Sequence, residues 1–233
     1  MSMKPFLAAL ALGVAALSPA QAFAGAPIAA PVADGDVQKL VALMAPEDSI
    51  TRLAGRAFDT GMDQEIAADA KMKAVFDANP GLREQVGARL RTEFTTILVG
   101  ALPSLRAQLS GILQAELTPA EVTDTLTFFS SPTGAKVRAS VYESMGEAPG
   151  QSQAEMQQAA IQAVMSKMTA EDYPALMAFG GSTAAQKMNT VNPKIQAASQ
   201  AWAEKLVVAN KPRMEALATK LTADYLAGKQ KAN

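Results

Sequence analysis

Residues Leu117 to Val137 read LTPAEVTDTLTFFSSPTGAKV, and this stretch spells two helices and the corner between them. Thr118 stands where an N-cap would stand and Pro119 at the first helical position. Glu121 is the reciprocal acceptor of a capping box, so a helix begins here. Ser131, Pro132 and Gly134 stop it and start another, because the residue before a proline is pushed out of the helical region. The pattern recurs in degraded form 51 residues later as MTAEDYPALMAFGGSTAAQKM, Met168 to Met188. Thr118 then pairs with Thr169, Leu126 with Met177, Phe128 with Phe179, Ser131 with Ser182 and Lys136 with Lys187. The match is ungapped and is read as an internal duplication. Gly180-Gly181 replaces Phe129-Ser130, which predicts a looser second corner.

Working outward toward the N-terminus, Leu105, Leu109, Ile112 and Leu113 lead a helix into the corner, with Pro103 restarting the chain before it. Asn79-Pro80 reads as an N-cap and first-turn proline. It opens a long amphipathic helix through Leu82, Val86, Leu90, Phe94, Ile97 and Leu98 to Gly100. Further back, Ile50, Leu53, Ala54, Ala57 and Phe58 mark a helix ending at Gly61, and Ile66, Met72, Val75 and Phe76 continue less regularly. Val37, Leu40, Val41 and Met44 form the first helical face, closed by Ala45-Pro46.

Toward the C-terminus, Val137, Val141 and Met145 mark a helix that stops before Pro149-Gly150. Ser152 with Glu155 reads as a second capping box, opening a helix with Met156, Ile161, Val164, Met165 and Met168. Asn192-Pro193 opens another with Ile195, Trp202 and Leu206. Asn210 and Pro212 open the last, and the tail GKQKAN, 228–233, is expected to fray. No β alternation appears. About ten helices with short breaks predict an all-α fold of stacked antiparallel helical hairpins, one helical domain over 34–227.

Residues 1–24 have the layout of a secretory signal peptide: Lys4 in the n-region, an apolar core from Phe6 to Leu17, and small residues suited to cleavage after Ala22 or Ala24. Residues 25–33 are small and proline-punctuated, a disordered lead-in. No later stretch is read as reaching the ~20 apolar residues of a transmembrane helix. The expected address is the periplasm or the medium.

The chain of 233 residues contains no cysteine and no histidine. The first absence excludes disulfides and thiol chemistry; the second removes the commonest general base and the usual zinc and copper ligand. No cofactor is expected. With 21 basic against 22 acidic residues, no basic excess points to nucleic acid.

The central corner resembles the signature of an exported bacterial helical family, domain of unknown function twenty-fifty-nine, whose pattern reads roughly T-x-x-E-L-x-x-L-x-x-F-Y-x-S-P-x-G-x-K. Thr118, Glu121, Phe128, Ser131, Pro132, Gly134 and Lys136 stand at its positions. Val122 replaces the first leucine, Thr125 the second, and Phe129 the tyrosine. The resemblance implies an exported helical protein of Gram-negative bacteria and supplies no mechanism.

Thr133-x-x-Lys136 looks superficially like the Ser-x-x-Lys pair of penicillin-binding enzymes, yet no S-D-N or K-T-G partner follows and Ala184 replaces Thr133 in the second copy. Lys136 and Lys187 are expected on solvated faces or near a carboxylate of the preceding helix. Glu121 and Asp124 share a helical face, but capping accounts for Glu121. No catalytic or metal residue is assigned. Phe128 and Phe129 point about 100° apart, one into the core and one toward a neighbouring helix. Met156, Met165, Met168, Met177 and Met188 are either core filling or the lining of an adaptable apolar groove. The expectation is therefore a non-catalytic interaction or envelope-maintenance factor, with an oligomer open. The alternative is a carrier or chaperone for an apolar ligand or peptide, and third a lysine- or carboxylate-dependent envelope hydrolase.

Overall fold

The computed structural model describes residues 34–147 and 153–232, and every element among them is α-helical. The chain runs α1 (Asp34–Met44), α2 (Glu47–Ala68), α3 (Ala70–Ala78), α4 (Leu82–Glu116), α5 (Pro119–Ser130), α6 (Pro132–Glu147), α7 (Gln153–Lys167), α8 (Tyr173–Gly180) and α9 (Thr183–Ala232). The expected signal peptide, the lead-in and the Ser152 end of the second capping box lie outside the described residues.

Two long helices, α4 and α9, lie antiparallel and form the spine. Side chains tie them along their length: Lys194 to Glu116, the Trp202 indole N–H to Ser104 Oγ at 2.9 Å, Arg213 to Glu93, and the Tyr225 hydroxyl to the Pro80 carbonyl at 2.6 Å. Leu98, Leu102, Leu105, Leu109 and Leu113 make one unbroken buried row on α4. Ile195, Trp202 and Met214 of α9 join the same core, as do Val37, Leu40 and Val41 of α1. A smaller cluster, Val141, Ala160 and Val164, holds α6 to α7.

Three prolines expected to start helices lie inside them. Pro103 is within α4, and Pro193 and Pro212 are within α9. An interior proline costs about 3 kcal/mol through a lost hydrogen bond and a clash one turn back. Each burial of a leucine-sized side chain returns about 1.5–3 kcal/mol, so the row flanking Pro103 outweighs that cost. All three prolines are exposed, on the outer faces of their helices.

Other boundaries also move. α2 continues through Gly61 to Ala68, because Gly61 is buried and the break is made by Asp69, whose carboxylate caps Lys71 N at 2.9 Å and Met72 N at 3.0 Å. α4 opens behind Gly81, at φ +87° where only glycine is comfortable, instead of at Asn79-Pro80. The tail expected to fray is helical to Ala232. By length and composition alone α4 is also long and apolar enough to cross a membrane, which corrects the expectation that no later stretch is.

The corner between α1 and α2 is fastened from outside. Arg138 reaches the Leu43 carbonyl, Tyr142 the Met44 carbonyl, and Arg106 the Ala45 carbonyl at 2.9 Å. These carbonyls end α1 and have no helical donor ahead of them, so the three side chains supply what the helix cannot. Burial pushes the Tyr142 phenol well above its ordinary range.

Candidate functional site

The signature residues form a structural joint. Thr118 and Glu121 make the full capping box: the Glu121 carboxylate accepts from Thr118 N at 2.7 Å, and Glu121 N donates to Thr118 Oγ1. At the far end of α5, Ser131 Oγ donates to the Phe128 carbonyl at 2.7 Å and accepts from Gly134 N at 3.1 Å. Gly134 is required there, since a Cβ would stand 2.0 Å from the Phe128 carbonyl oxygen. Phe128 and Phe129 are both buried.

The later corner repeats part of this pattern, without the reciprocal bond to the threonine hydroxyl. Asp172 accepts from Thr169 N at 3.0 Å and from Thr169 Oγ1 at 2.9 Å. Ala185 N donates to Ser182 Oγ at 3.1 Å, as Gly134 N does to Ser131. Ala185 stands where Gly134 stands, and the helix before it closes through Gly181.

Lys136 and Thr133 converge on the second copy. Lys136 Nζ lies 2.8 Å from Asp172 Oδ2 and Thr133 Oγ1 donates to Asp172 Oδ1 at 2.8 Å. The carboxylate is 5% exposed, and the Lys136 hydrogen bond, with the Thr169 backbone and the Thr133 hydroxyl, holds it well below the usual carboxylate range. Lys136 thus meets an acid of the later corner, not one of the preceding helix. Its ammonium pairs with the same carboxylate that accepts the Thr133 hydroxyl, an arrangement that ties α6 to the start of α8. In the reverse direction Lys187 lies 3.6 Å from Glu116, just ahead of the first cap. Lys194, then Lys187, holds the Glu116 carboxyl below its ordinary range.

The methionines singled out in sequence do not share one surface. Met188 is in the main core, Met168 packs on the small α6–α7 cluster, and Met165 and Met177 are 45% and 75% exposed. Nothing is described of the Met156 side chain. An apolar cleft of about 580 Å³ exists elsewhere, between α2, α3, α4 and the end of α9. Phe58, Val86, Leu90 and Met214 floor it, all buried. Met62, Met72, Val75 and Phe76 wall it, and Glu65, Lys71 and Glu215 are the charged residues on its lining. The α9 wall is latched by Tyr225 on Pro80 and by Lys229 on Asn79 Oδ1 at 3.3 Å.

Helix α3 explains why the cleft is open. Its nine residues include none that is buried, and Met72, Val75 and Phe76 all turn toward the cleft. Sequence periodicity weakens just here, around residues 66–76, and the partner wall is contributed from about 140 residues further on. The visible signal was the methionine content; which methionines meet is a matter of tertiary contact.

Among the described residues no three His, Cys, Asp or Glu side chains gather as a metal site. Residues 103–167 match the model of a family described as an uncharacterized protein conserved in bacteria, DUF2059. No curated protein and no solved structure matches the chain. The matched segment contains the first corner and α5 to α7; the cleft lies wholly outside it.

Proposed function

We propose, taking the DUF2059 match over residues 103–167 as premise, that this chain is an exported, non-catalytic binding protein holding one single-chain ligand of acyl type in the cleft of α2, α3, α4 and α9. The observation that carries the reading is α3, an amphipathic helix that buries none of its own residues. A helix of nine residues is too short to persist alone, so it depends on tertiary contact along its apolar side. An acyl chain supplies that contact at about 0.8 kcal/mol per buried methylene. The cleft volume, about 580 Å³, falls within the roughly 300–1,000 Å³ of small-molecule sites. Met62, Met72 and Met214 adapt to a flexible chain at little cost. The leader-like composition of residues 1–24 supports export, where an insoluble acyl ligand needs a carrier between membranes.

The test is native mass spectrometry of protein recovered from the periplasm, followed by titration with a fluorescent fatty acid. Expected are a bound mass that leaves on denaturation and saturable uptake by the stripped protein. Val75→Asp and Met72→Asp should lose both while matching the circular dichroism of the stripped wild-type protein, since neither side chain is buried. A bare chain that takes up no probe rejects the carrier reading.

One observation favours a second reading as a protein-interaction factor. Tyr173 and Met177, 45% and 75% exposed, stand one turn apart on α8 and present an apolar face of the kind that anchors a partner. That reading predicts a bare chain in the mass spectrum and loss of a co-purifying protein on Met177→Asp.

A further inference from the structure

The charged groups on the cleft lining point to a head group. Glu65 lies near the end of α2 and Lys71 in the first turn of α3, on either side of the Asp69 cap, and both line the cleft. Neither side chain has an ion-pair or hydrogen-bond partner among the described residues. Two charged neighbours are committed elsewhere: the Asp69 carboxylate caps α3, and Lys73 is paired with Asp77. The third charged residue of the lining, Glu215, has Lys211 within 3.9 Å. An apolar cleft therefore carries one unmatched anion and one unmatched cation, both at the α2–α3 corner. A fatty acid would satisfy Lys71 and leave its carboxylate near Glu65; an alkylammonium would do the reverse.

We infer that the occupant is a single-chain zwitterionic amphiphile, a lysophospholipid whose phosphate pairs with Lys71 and whose ammonium pairs with Glu65. This rests on the acyl-binding reading above and adds the head group to it. The apolar lining takes the chain, and the two charges at the corner select among amphiphiles that share that chain. Because both side chains are solvent-accessible, the selection is modest, about two- to five-fold per pair.

The experiment displaces a fluorescent fatty acid from the stripped full-length protein with three monomeric probes of equal chain length: palmitoyl lysophosphatidylethanolamine, palmitate and hexadecyltrimethylammonium. The zwitterion should displace best. Lys71→Gln should weaken the zwitterion and palmitate about two- to five-fold and spare the ammonium. Glu65→Gln should weaken the zwitterion and the ammonium and strengthen palmitate. Equal affinity for all three heads in wild type and both variants overturns the head-group assignment while leaving the acyl site standing. Displacement by palmitate alone, unaltered in Glu65→Gln, overturns it too. If no probe binds, the acyl site and the head-group assignment fall together.

Discussion

The ring of Phe128 lies flat on the ring of Phe179, centroids 4.1 Å apart and planes inclined by 1°. These are the two phenylalanines placed in register by the 51-residue offset, one on α5 and one on α8. Phe129 meets both edge-on, at 5.3 Å from Phe128 and 5.9 Å from Phe179. The two corners therefore pack on each other through the residue that the motif repeats. Lys136 to Asp172 and Lys187 to Glu116 add polar ties running in opposite directions between the corners.

The ring stack should appear as a coupling energy. Phe128→Ala is expected to cost about 3–5 kcal/mol in urea unfolding and Phe179→Ala less, because Phe179 is only half-buried. In the double-mutant cycle the two should couple by about 0.5–1.5 kcal/mol. Simple additivity would mean that the rings touch without stabilising each other.

The two corners should respond very unequally at their equivalent small residues. Gly134→Ala puts a Cβ 2.0 Å from a backbone oxygen, which no side-chain movement relieves, so a loss of more than about 3 kcal/mol or failure to fold is expected. Ala185→Gly should cost only about 0.5–1 kcal/mol, the ordinary helix-interior penalty. Comparable losses at the two sites, measured by thermal denaturation, would contradict the tight geometry of the first corner.

Removing the first cap has a calibrated size. Thr118→Ala should cost about 1 kcal/mol, within the range of roughly 0.5–2 kcal/mol for N-caps, and Thr118→Ser should recover most of it. An effect below the low end would show that water replaces the threonine hydroxyl without loss.

Acid should probe the Asp172 joint. Its carboxyl is depressed by Lys136, Thr169 and Thr133, so the folded protein binds that proton less readily than the unfolded chain. The stabilisation is then present above the ordinary aspartate range near pH 3.9 and is lost as pH falls below it. In Asp172→Asn this contribution is absent. The gap in Tm between wild type and variant should be constant from pH 7 to about 5 and narrow below pH 4. A gap independent of pH down to 2 would show that the ion pair does not govern the joint.

Local chemistry was legible in the sequence wherever neighbours in the chain decide the outcome. The capping box of Thr118 and Glu121, the Ser131-Pro132 stop and the all-α class depend on bonds that close within a few residues, so composition and spacing specify them. Long-range packing decided the rest. Pro103, Pro193 and Pro212 carry strong local break signals, yet buried rows on the same helices outweigh one missing hydrogen bond each. Lys136 found its acid 36 residues away, because α8 packs against α5 and α9 and so brings Asp172 to the start of α6. The apolar cleft joins Met62 and Met72 to Met214 across the antiparallel spine. No periodicity within a single helix encodes which other helix will stand opposite it; that is set by how all the apolar faces are satisfied at once.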